Sequence, residues 1–220
     1  MVKKRTPIEI RCYRAKSWID KVENSNDSDK DLDGMFIFYW IAFNALYGQP
    51  GYLRRRKRTD EEKERMGEEV DIENFLKLLI LLDNERKIQT ALTDSREEVN
   101  SLIRDMYLND RSWVAWDQAQ HKTLSERNAS GYADRRPGLQ LIQLFRQIYV
   151  LRKQLFHGCS SNKGSKNRKA LANSVEILNR FLAIFIEIVR ANANDEQLKT
   201  LLKDLPYPQQ GEEQDEHPRL

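Results

Sequence analysis

The stretch from Met35 to Tyr47 reads Met-Phe-Ile-Phe-Tyr-Trp-Ile-Ala-Phe-Asn-Ala-Leu-Tyr and is apolar on almost every side of a helix. A helix that has no polar face belongs in the centre of a bundle or between subunits. The stretch is too short to span a bilayer, which requires about 20 apolar residues. Gly48 follows it, and glycine commonly stands just beyond a helix end. The stretch therefore predicts a central helix.

Apolar residues also recur at helical spacing on both sides of this stretch. Strand signals are scarce, because no period-2 alternation is bounded by hairpin turn residues. Asp31 and Ser28 are candidate caps for the central helix, and residues 111–138 indicate an irregular connection. The sequence predicts one all-α domain over residues 1–204 and a disordered tail over 205–220, which is rich in Pro, Gln and Glu. The other predicted helices cover residues 7–22, 71–82, 93–108, 137–157 and 170–192.

Charge and cysteine content limit the classes of function. The formal charge is +3, from 37 basic and 34 acidic residues, so a nucleic-acid surface must come from clustering of charge rather than from its total. Cys12 and Cys159 are too isolated for a disulfide framework or a zinc site. No apolar run reaches the length of a membrane span. We expect a cytoplasmic protein with no metal and no membrane contact.

The segment Arg152-Lys153-Gln154-Leu155-Phe156-His157-Gly158 ends the fourth of these predicted helices. Five residues on an α-helix correspond to about 140° of rotation and about 7.5 Å of rise, so Arg152 and His157 do not share one stripe. His157 stands beside Gly158, where the last turn can unwind and reorient the ring. Two interpretations are open: a phosphate site, or a helix C-terminus whose cation and histidine complement the macrodipole.

Arg152 and His157 are the side-chain types that RNA cleavage requires. An imidazole can take the proton of a ribose 2′-hydroxyl or return one to the leaving 5′-oxygen. A guanidinium matches phosphate oxygens and stabilises the additional negative charge of a pentavalent transition state. The pair predicts metal-independent and cofactor-independent transesterification, which gives a 2′,3′-cyclic phosphate and a 5′-hydroxyl. DNA would be bound but not cut.

Basic and polar residues around the motif favour a polyanionic ligand. Side chains of this kind position phosphates, and the start of the following helix adds its dipole to an anion site. The run Arg54–Arg58, in contrast, is more typical of a solvated charged segment. The predicted RNA-binding residues are Lys153, Lys163, Lys166, Asn167, Arg168 and Lys169.

Asn44 is the polar exception on the apolar stretch, and it has two interpretations. It can be a buried amide that sets the register of the bundle or dimer. It can also reach the cleft and orient His157 or a phosphate, as a supporting residue. The aromatic residues Trp40, Phe43 and Tyr47 are predicted to lie in the core rather than to stack on bases.

Three stretches together resemble HEPN proteins of the Apea-like kind. The first is the apolar stretch from Phe38 to Gly48. The second is Leu151–Gly158, which resembles the family's R-x4-6-H motif, and the third is the Asn167-Arg168 step before the last long helix. The resemblance extends over residues of about 10 to 200.

The resemblance implies a HEPN-like bundle with two long antiparallel core helices and additional helices. It also implies a homodimer in which Arg152 and His157 of both protomers line one cleft, RNA as the substrate, and a role as a toxin or phage-defence effector with a cognate antitoxin or regulatory protein. Lys153 departs from the small polar residue that commonly follows the arginine; its charge favours either RNA binding or an altered catalytic geometry. The alternative is a non-catalytic HEPN module that binds RNA, a nucleotide or a partner protein.

Overall fold

The computed structural model describes residues 5–25, 31–48, 67–105, 107–108, 137–157, 164 and 167–203. Across these ranges the chain forms eight α-helices and no strand, which confirms the all-α prediction. Within the same ranges, no helix combines the length and hydropathy needed to cross a membrane. The helices are α1 (Pro7–Glu23), α2 (Leu32–Tyr47), α3 (Glu68–Leu82), α4 (Lys87–Asp94), α5 (Arg96–Ile103), α6 (Pro137–Phe156), α7 (Arg168–Ala191) and α8 (Glu196–Leu202).

Local capping sets the starts of α1 and α2. The Thr6 side chain accepts a hydrogen bond from the Glu9 backbone N–H, and the Glu9 carboxylate accepts one from the Thr6 backbone N–H, at 2.6 Å. This arrangement is a capping box. Asp31 caps α2 by accepting from the Gly34 backbone N–H at 2.7 Å, as the sequence predicts. The other candidate cap, Ser28, lies outside the described residues.

α2 is the central helix, as its sequence predicts. It packs against both α1 and α7, and its aromatic side chains Trp40, Phe43 and Tyr47 are buried. Phe43 is fully buried and is surrounded by other aromatic rings of the core. Its ring centroid lies within 4.6–6.2 Å of the rings of Trp40, Tyr47, Phe75, Phe145 and Phe185.

The two long helices α6 and α7 run antiparallel. Gln154 near the end of α6 accepts a hydrogen bond from Asn167 at the start of α7, at 2.9 Å. Phe145 in the first half of α6 lies 5.4 Å from Phe185 in the second half of α7, measured between ring centroids. α7 nevertheless packs more extensively on α2 and α5 than on α6. α7 therefore packs mainly on α2 rather than on its antiparallel neighbour α6.

The helix predicted over residues 93–108 is present but shorter, since α5 covers Arg96–Ile103, and the separate helix α4 (Lys87–Asp94) before it was not predicted. The chain bends at Ser95, which separates α4 from α5. Leu92 before the bend and Val99 after it are both buried, and seven residues is also the repeat of a continuous helix. The apolar spacing alone therefore did not reveal the break.

A short helix near the end of the described chain was not anticipated by the sequence reading. α8 begins after Asp195, whose side chain accepts from the Leu198 backbone N–H at 2.9 Å. Its seven residues are too few to show a clear helical period. Most of the connection predicted over 111–138 and the whole predicted tail 205–220 lie outside the described residues.

Gly48 ends α2, although not through the left-handed conformation that its position suggested. Its φ is −54°, which any residue can adopt. A Cβ atom at this position would lie 2.5 Å from the backbone oxygen of Asn44. Glycine is therefore required because the backbone turns back closely on the last turn of α2.

Arg11 connects three helices from inside the core. Its side chain is fully buried, yet its guanidinium donates to the backbone oxygens at the ends of α2 and α8. These oxygens carry the negative end of the helix dipoles, so they stabilise a buried cation. The acceptors are Leu202 at 3.1 Å, Ala45 at 3.2 Å, Leu46 at 3.2 Å and Gly48 at 2.9 Å.

Replacing Arg11 with methionine should lower the free energy of unfolding by at least about 3 kcal/mol, because several hydrogen bonds to a charged donor are lost and buried carbonyl groups remain unpaired. Urea denaturation followed by circular dichroism measures the change. The control is Lys16→Met on the exposed face of the same helix, which removes surface ion pairs to Asp20 and Glu23 and should cost less than about 1 kcal/mol. Equal losses in the two variants would show that the buried arginine is dispensable.

Candidate functional site

The end of α6 carries Arg152, Lys153 and His157. The His157 backbone N–H donates to the Lys153 backbone oxygen at 3.0 Å, so the helical hydrogen-bond pattern continues through His157. The predicted unwinding of the last turn is therefore absent up to this residue. The backbone offset between Arg152 and His157 therefore stays close to that of a regular helix, about 140°.

Arg152 lies at the boundary between core and solvent, with 21% of its side chain exposed. Its Nη1 is 3.5 Å from Oε2 of Glu68 at the start of α3. That distance exceeds the roughly 2.7–2.9 Å of a strong charge-assisted hydrogen bond. Within the described part of the chain, the buried Nε of Arg152 has no hydrogen-bond partner. The guanidinium also lies over the Phe156 ring, 4.9 Å from its centroid.

Lys153 and His157 add positive or ionisable groups to the same helix end. Lys153 is partly buried, and its Nζ lies 4.9 Å from the centroid of the Tyr149 ring. His157 is exposed, as is Phe156, with 47% of its surface accessible. Cationic side chains here also complement the negative end of the α6 dipole, so the dipole interpretation and the phosphate-site interpretation are compatible.

A polar cluster from three helices surrounds the Arg152 contact. The Glu68 carboxylate accepts from the Tyr47 hydroxyl of α2 at 2.9 Å and from the Tyr149 hydroxyl of α6 at 3.4 Å. Asn44 joins it because its Oδ1 position also lies within hydrogen-bond distance of the Tyr47 hydroxyl. We call Asn44, Tyr47, Glu68, Tyr149 and Arg152 the Glu68 cluster. Asn44 thus contacts the surroundings of Arg152 indirectly, through Tyr47 and Glu68.

The single hydroxyl proton of Tyr47 limits how the Glu68 cluster can be hydrogen-bonded. Tyr47 has one hydroxyl proton and lies within reach of two acceptors, Asn44 Oδ1 and Glu68 Oε1. A carboxylate can only accept, so donation to Glu68 is the stronger choice. Exchange of the oxygen and nitrogen positions in the Asn44 amide would then let Nδ2 donate to the Tyr47 oxygen. With this arrangement the Tyr47 hydroxyl donates to Glu68 and accepts from Asn44.

Both tyrosines keep their protons at neutral pH. Burial, followed by the negative charge of Glu68, raises the pKa of Tyr149 to about 12. The same two causes raise the pKa of Tyr47 well above its ordinary value. Neutral phenols donate hydrogen bonds, so both hydroxyls can donate to the Glu68 carboxylate.

The start of α7 contributes two of the predicted RNA-binding residues, and both contact other helices. Asn167 has a left-handed backbone (φ 60°) and donates from Nδ2 to Gln154. Arg168 Nη1 forms an ion pair with Asp33 Oδ2 of α2 at 2.6 Å. These contacts join α7 to α6 and α2. Lys169 is exposed, whereas Lys163 and Lys166 lie outside the described residues.

Sequence reading missed Glu68, Tyr149 and Asp33 as parts of this region. Glu68 stands at the end of a charged tract, three residues before the predicted start of its helix, so it resembled a solvated surface residue. The spacing of Tyr149 and Arg152 at i and i+3 was an available signal, because such residues are neighbours on a helix surface. Asp33 had no comparable signal, since its partner Arg168 is 135 residues away.

The α6 end brings Arg152, Lys153 and His157 together beside the Glu68 carboxylate. Among the described residues, no group of three or more His, Cys, Asp or Glu side chains is placed to hold a metal ion. Comparison with protein-family models, with curated proteins and with solved structures found no significant match.

Ultraviolet titration at 295 nm should find Tyr149 ionising near pH 12, as the difference between the native protein and Tyr149→Phe. Glu68→Gln should lower this pKa by removing a negative charge. Glu69→Gln is the matched control and should lower it less, since Glu69 contributes less to the shift. Ionisation of Tyr149 near pH 10 in the native protein would contradict the buried cluster.

The same shift predicts how stability depends on pH. The folded state holds the Tyr149 proton more tightly than the unfolded state, whose tyrosines ionise near pH 10. The contribution of Tyr149 to stability is therefore complete below about pH 10 and is lost as the pH rises towards 12. Urea denaturation of the native protein and of Tyr149→Phe across this range measures the difference.

Proposed function

We propose that the protein is a metal-independent endoribonuclease of the HEPN type, with Arg152 and His157 as its catalytic residues. The observation that supports this best is the partial exposure of Arg152 and its long contact to Glu68. Its guanidinium is partly exposed and has one long contact to a carboxylate, so it retains N–H donors for a phosphate. The exposed His157 follows five residues later, directly after the last residue of α6.

The two side chains have complementary roles in the proposed reaction. His157 takes the proton of the ribose 2′-hydroxyl, and the 2′-oxygen attacks the adjacent phosphorus. Arg152 stabilises the negative charge on the equatorial oxygens of the pentavalent state. The bond to the 5′-oxygen then breaks and that oxygen takes a proton, which leaves a 2′,3′-cyclic phosphate and a 5′-hydroxyl.

The reaction needs a base for the attacking oxygen and an acid for the leaving oxygen. One imidazole cannot serve both oxygens at the same moment. A homodimer with a composite cleft would supply a second copy of His157 for the other oxygen. The homodimer is therefore part of the proposal.

RNA would bind along the basic surface next to the α6 end. Lys153 and the exposed Lys169 are the described candidates for phosphate contacts, together with Lys163 and Lys166 from the sequence. Asn167 and Arg168 would act mainly by positioning the start of α7, because their side chains already contact Gln154 and Asp33. The resemblance further suggests a toxin or phage-defence effector that a cognate antitoxin or regulatory protein restrains.

The second candidate is a non-catalytic HEPN module that binds RNA, a nucleotide or a partner protein. The ion pair between Arg152 and Glu68 favours it, because a neighbouring carboxylate partly neutralises the guanidinium and weakens its attraction for phosphate. The helical offset between Arg152 and His157 points in the same direction. In this case Arg152 would be an anion clamp.

Incubation of the purified protein with RNA in EDTA separates the two candidates. The native protein should cut RNA to 2′,3′-cyclic phosphate termini, and a substrate with 2′-deoxyribose at the cleaved position should stay intact. Arg152→Ala and His157→Ala should each lower the rate by about 100-fold or more. Arg146→Ala is the control, since this arginine lies on the same helix and pairs with Glu73; its rate should be unchanged.

Three results of this experiment would count against the endoribonuclease. Cleavage that survives both substitutions would place the reaction elsewhere. RNA binding without cleavage, weakened by Arg152→Ala but not by His157→Ala, would establish the anion-clamp alternative. Unchanged nucleic-acid behaviour in both variants would leave a structural all-α interaction protein.

The composite cleft has a test of its own. Light scattering at micromolar concentration should give about twice the chain mass of 26.0 kDa. A strict monomer would rule out a cleft built from two protomers, and cleavage by that monomer would then require an acid from the same chain.

A further inference from the structure

We infer that Glu68 is the positioning residue for Arg152, and that the Tyr47 and Tyr149 hydroxyls fix the Glu68 carboxylate in the orientation this requires. The inference rests on the proposed ribonuclease function, in which Arg152 stabilises the transition state. Glu68 itself would contact neither the RNA nor the reacting atoms.

The carboxylate is fixed from two directions. Tyr47 of α2 donates to Oε1 at 2.9 Å, whereas Tyr149 of α6 lies 3.4 Å from Oε2. Only 18% of the Glu68 side chain is exposed, so little water competes for these oxygens. Rotation of the carboxylate would break both contacts. Glu68 is therefore oriented by two hydroxyl groups at the start of α3.

Arg152 is confined by this carboxylate and by aromatic rings. Its Nη1 lies 3.5 Å from Glu68 Oε2, and its central carbon lies 5.9 Å from the Tyr149 ring centroid and 4.9 Å from the Phe156 ring centroid. Tyr149 contributes twice, with its hydroxyl to Glu68 and its ring to Arg152. Substitution of Glu68 would therefore remove the carboxylate contact of Arg152 and leave its contacts with the aromatic rings.

A restricted guanidinium favours the transition state over the ground state. An arginine that is already oriented loses less freedom when phosphate charge develops, and this preorganisation acts mainly on the chemical step. Ground-state binding of RNA depends on many phosphate contacts, of which Arg152 is one. Loss of Glu68 should therefore lower kcat much more than it raises KM.

The test compares Glu68→Gln with Glu69→Gln, a neighbouring carboxylate on the same helix that faces Arg146 rather than Arg152. Each variant is assayed with RNA in EDTA and compared with the native protein. Glu68→Gln should lower kcat by about 10-fold or more and change KM by less than about 3-fold. Tyr47→Phe removes one of the two hydroxyl groups that donate to the Glu68 carboxylate, and it should lower kcat by a smaller factor. Glu69→Gln should change neither constant.

Nuclear magnetic resonance supplies a readout that does not depend on cleavage. The Arg152 Nε–Hε signal, assigned with Arg152→Lys, should be resolved from those of mobile arginines in the native protein. Glu68→Gln should move it into their range, and Glu69→Gln should leave it in place. Thermal unfolding midpoints verify that the variants are folded.

Each contrary result has a distinct meaning. Unchanged kcat in Glu68→Gln, a rise in KM alone, an unmoved Arg152 signal, or equal effects of the Glu68 and Glu69 variants would overturn the positioning role while the ribonuclease stands. Absence of RNA cleavage by the native protein would overturn the proposed function and, with it, the role of Glu68 in catalysis.

Discussion

Arg11 places a positive charge inside the core and surrounds it with backbone oxygens from the ends of α2 and α8. A buried guanidinium is costly unless its N–H groups are bonded, and here four carbonyl oxygens lie 2.9–3.2 Å away. The Arg11 guanidinium donates to the Gly48 oxygen where α2 ends, so it stabilises this end of the helix. Tyr47 and Asn44 lie on that same last turn, so the position of the Glu68 cluster depends on it.

The central position of α2 has a second consequence. Its aromatic side chains fill the space between α1, α3, α6 and α7, and Phe43 alone contacts rings from three of these helices. Close-packed aromatic rings resist displacement because any shift opens a void. The α2 residues that face the α6 end are therefore held in place by the core itself. A rigid support of this kind is what a site with an oriented arginine needs.

Charge at the α6 end is balanced rather than simply positive. Arg152 contacts Glu68 and Arg168 contacts Asp33, so two of the basic residues near the motif each have a carboxylate neighbour. Lys153 lies over an aromatic face. In the proposed function, a polyanion would approach an arginine whose charge the Glu68 carboxylate partly neutralises. The ion pairs of Arg152 and Arg168 therefore join helices of the bundle and also affect the charge available for the proposed phosphate contacts.

The sequence by itself determined the all-α class, the central position of α2, and the approximate limits of α1, α6 and α7. These features depend on apolar periodicity, caps and prolines. Such signals lie within a few residues of one another, so they can be recognised in a single sequence. It also identified Arg152, Lys153 and His157 as neighbours on one helix end. The helix α4, the limits of α5 and the short helix α8 were not predicted, because their local patterns are shared with a longer helix or are too short.

Only the tertiary structure decided which residues surround Arg152. Glu68 is 21 residues from Tyr47 and 81 residues from Tyr149, and Arg11 is 191 residues from Leu202. Such pairs form when packing brings distant helix ends together, and no local spacing encodes them. The sequence therefore specified a candidate arginine and histidine, whereas packing of α2, α3 and α6 specified the carboxylate and the two phenols that surround the arginine.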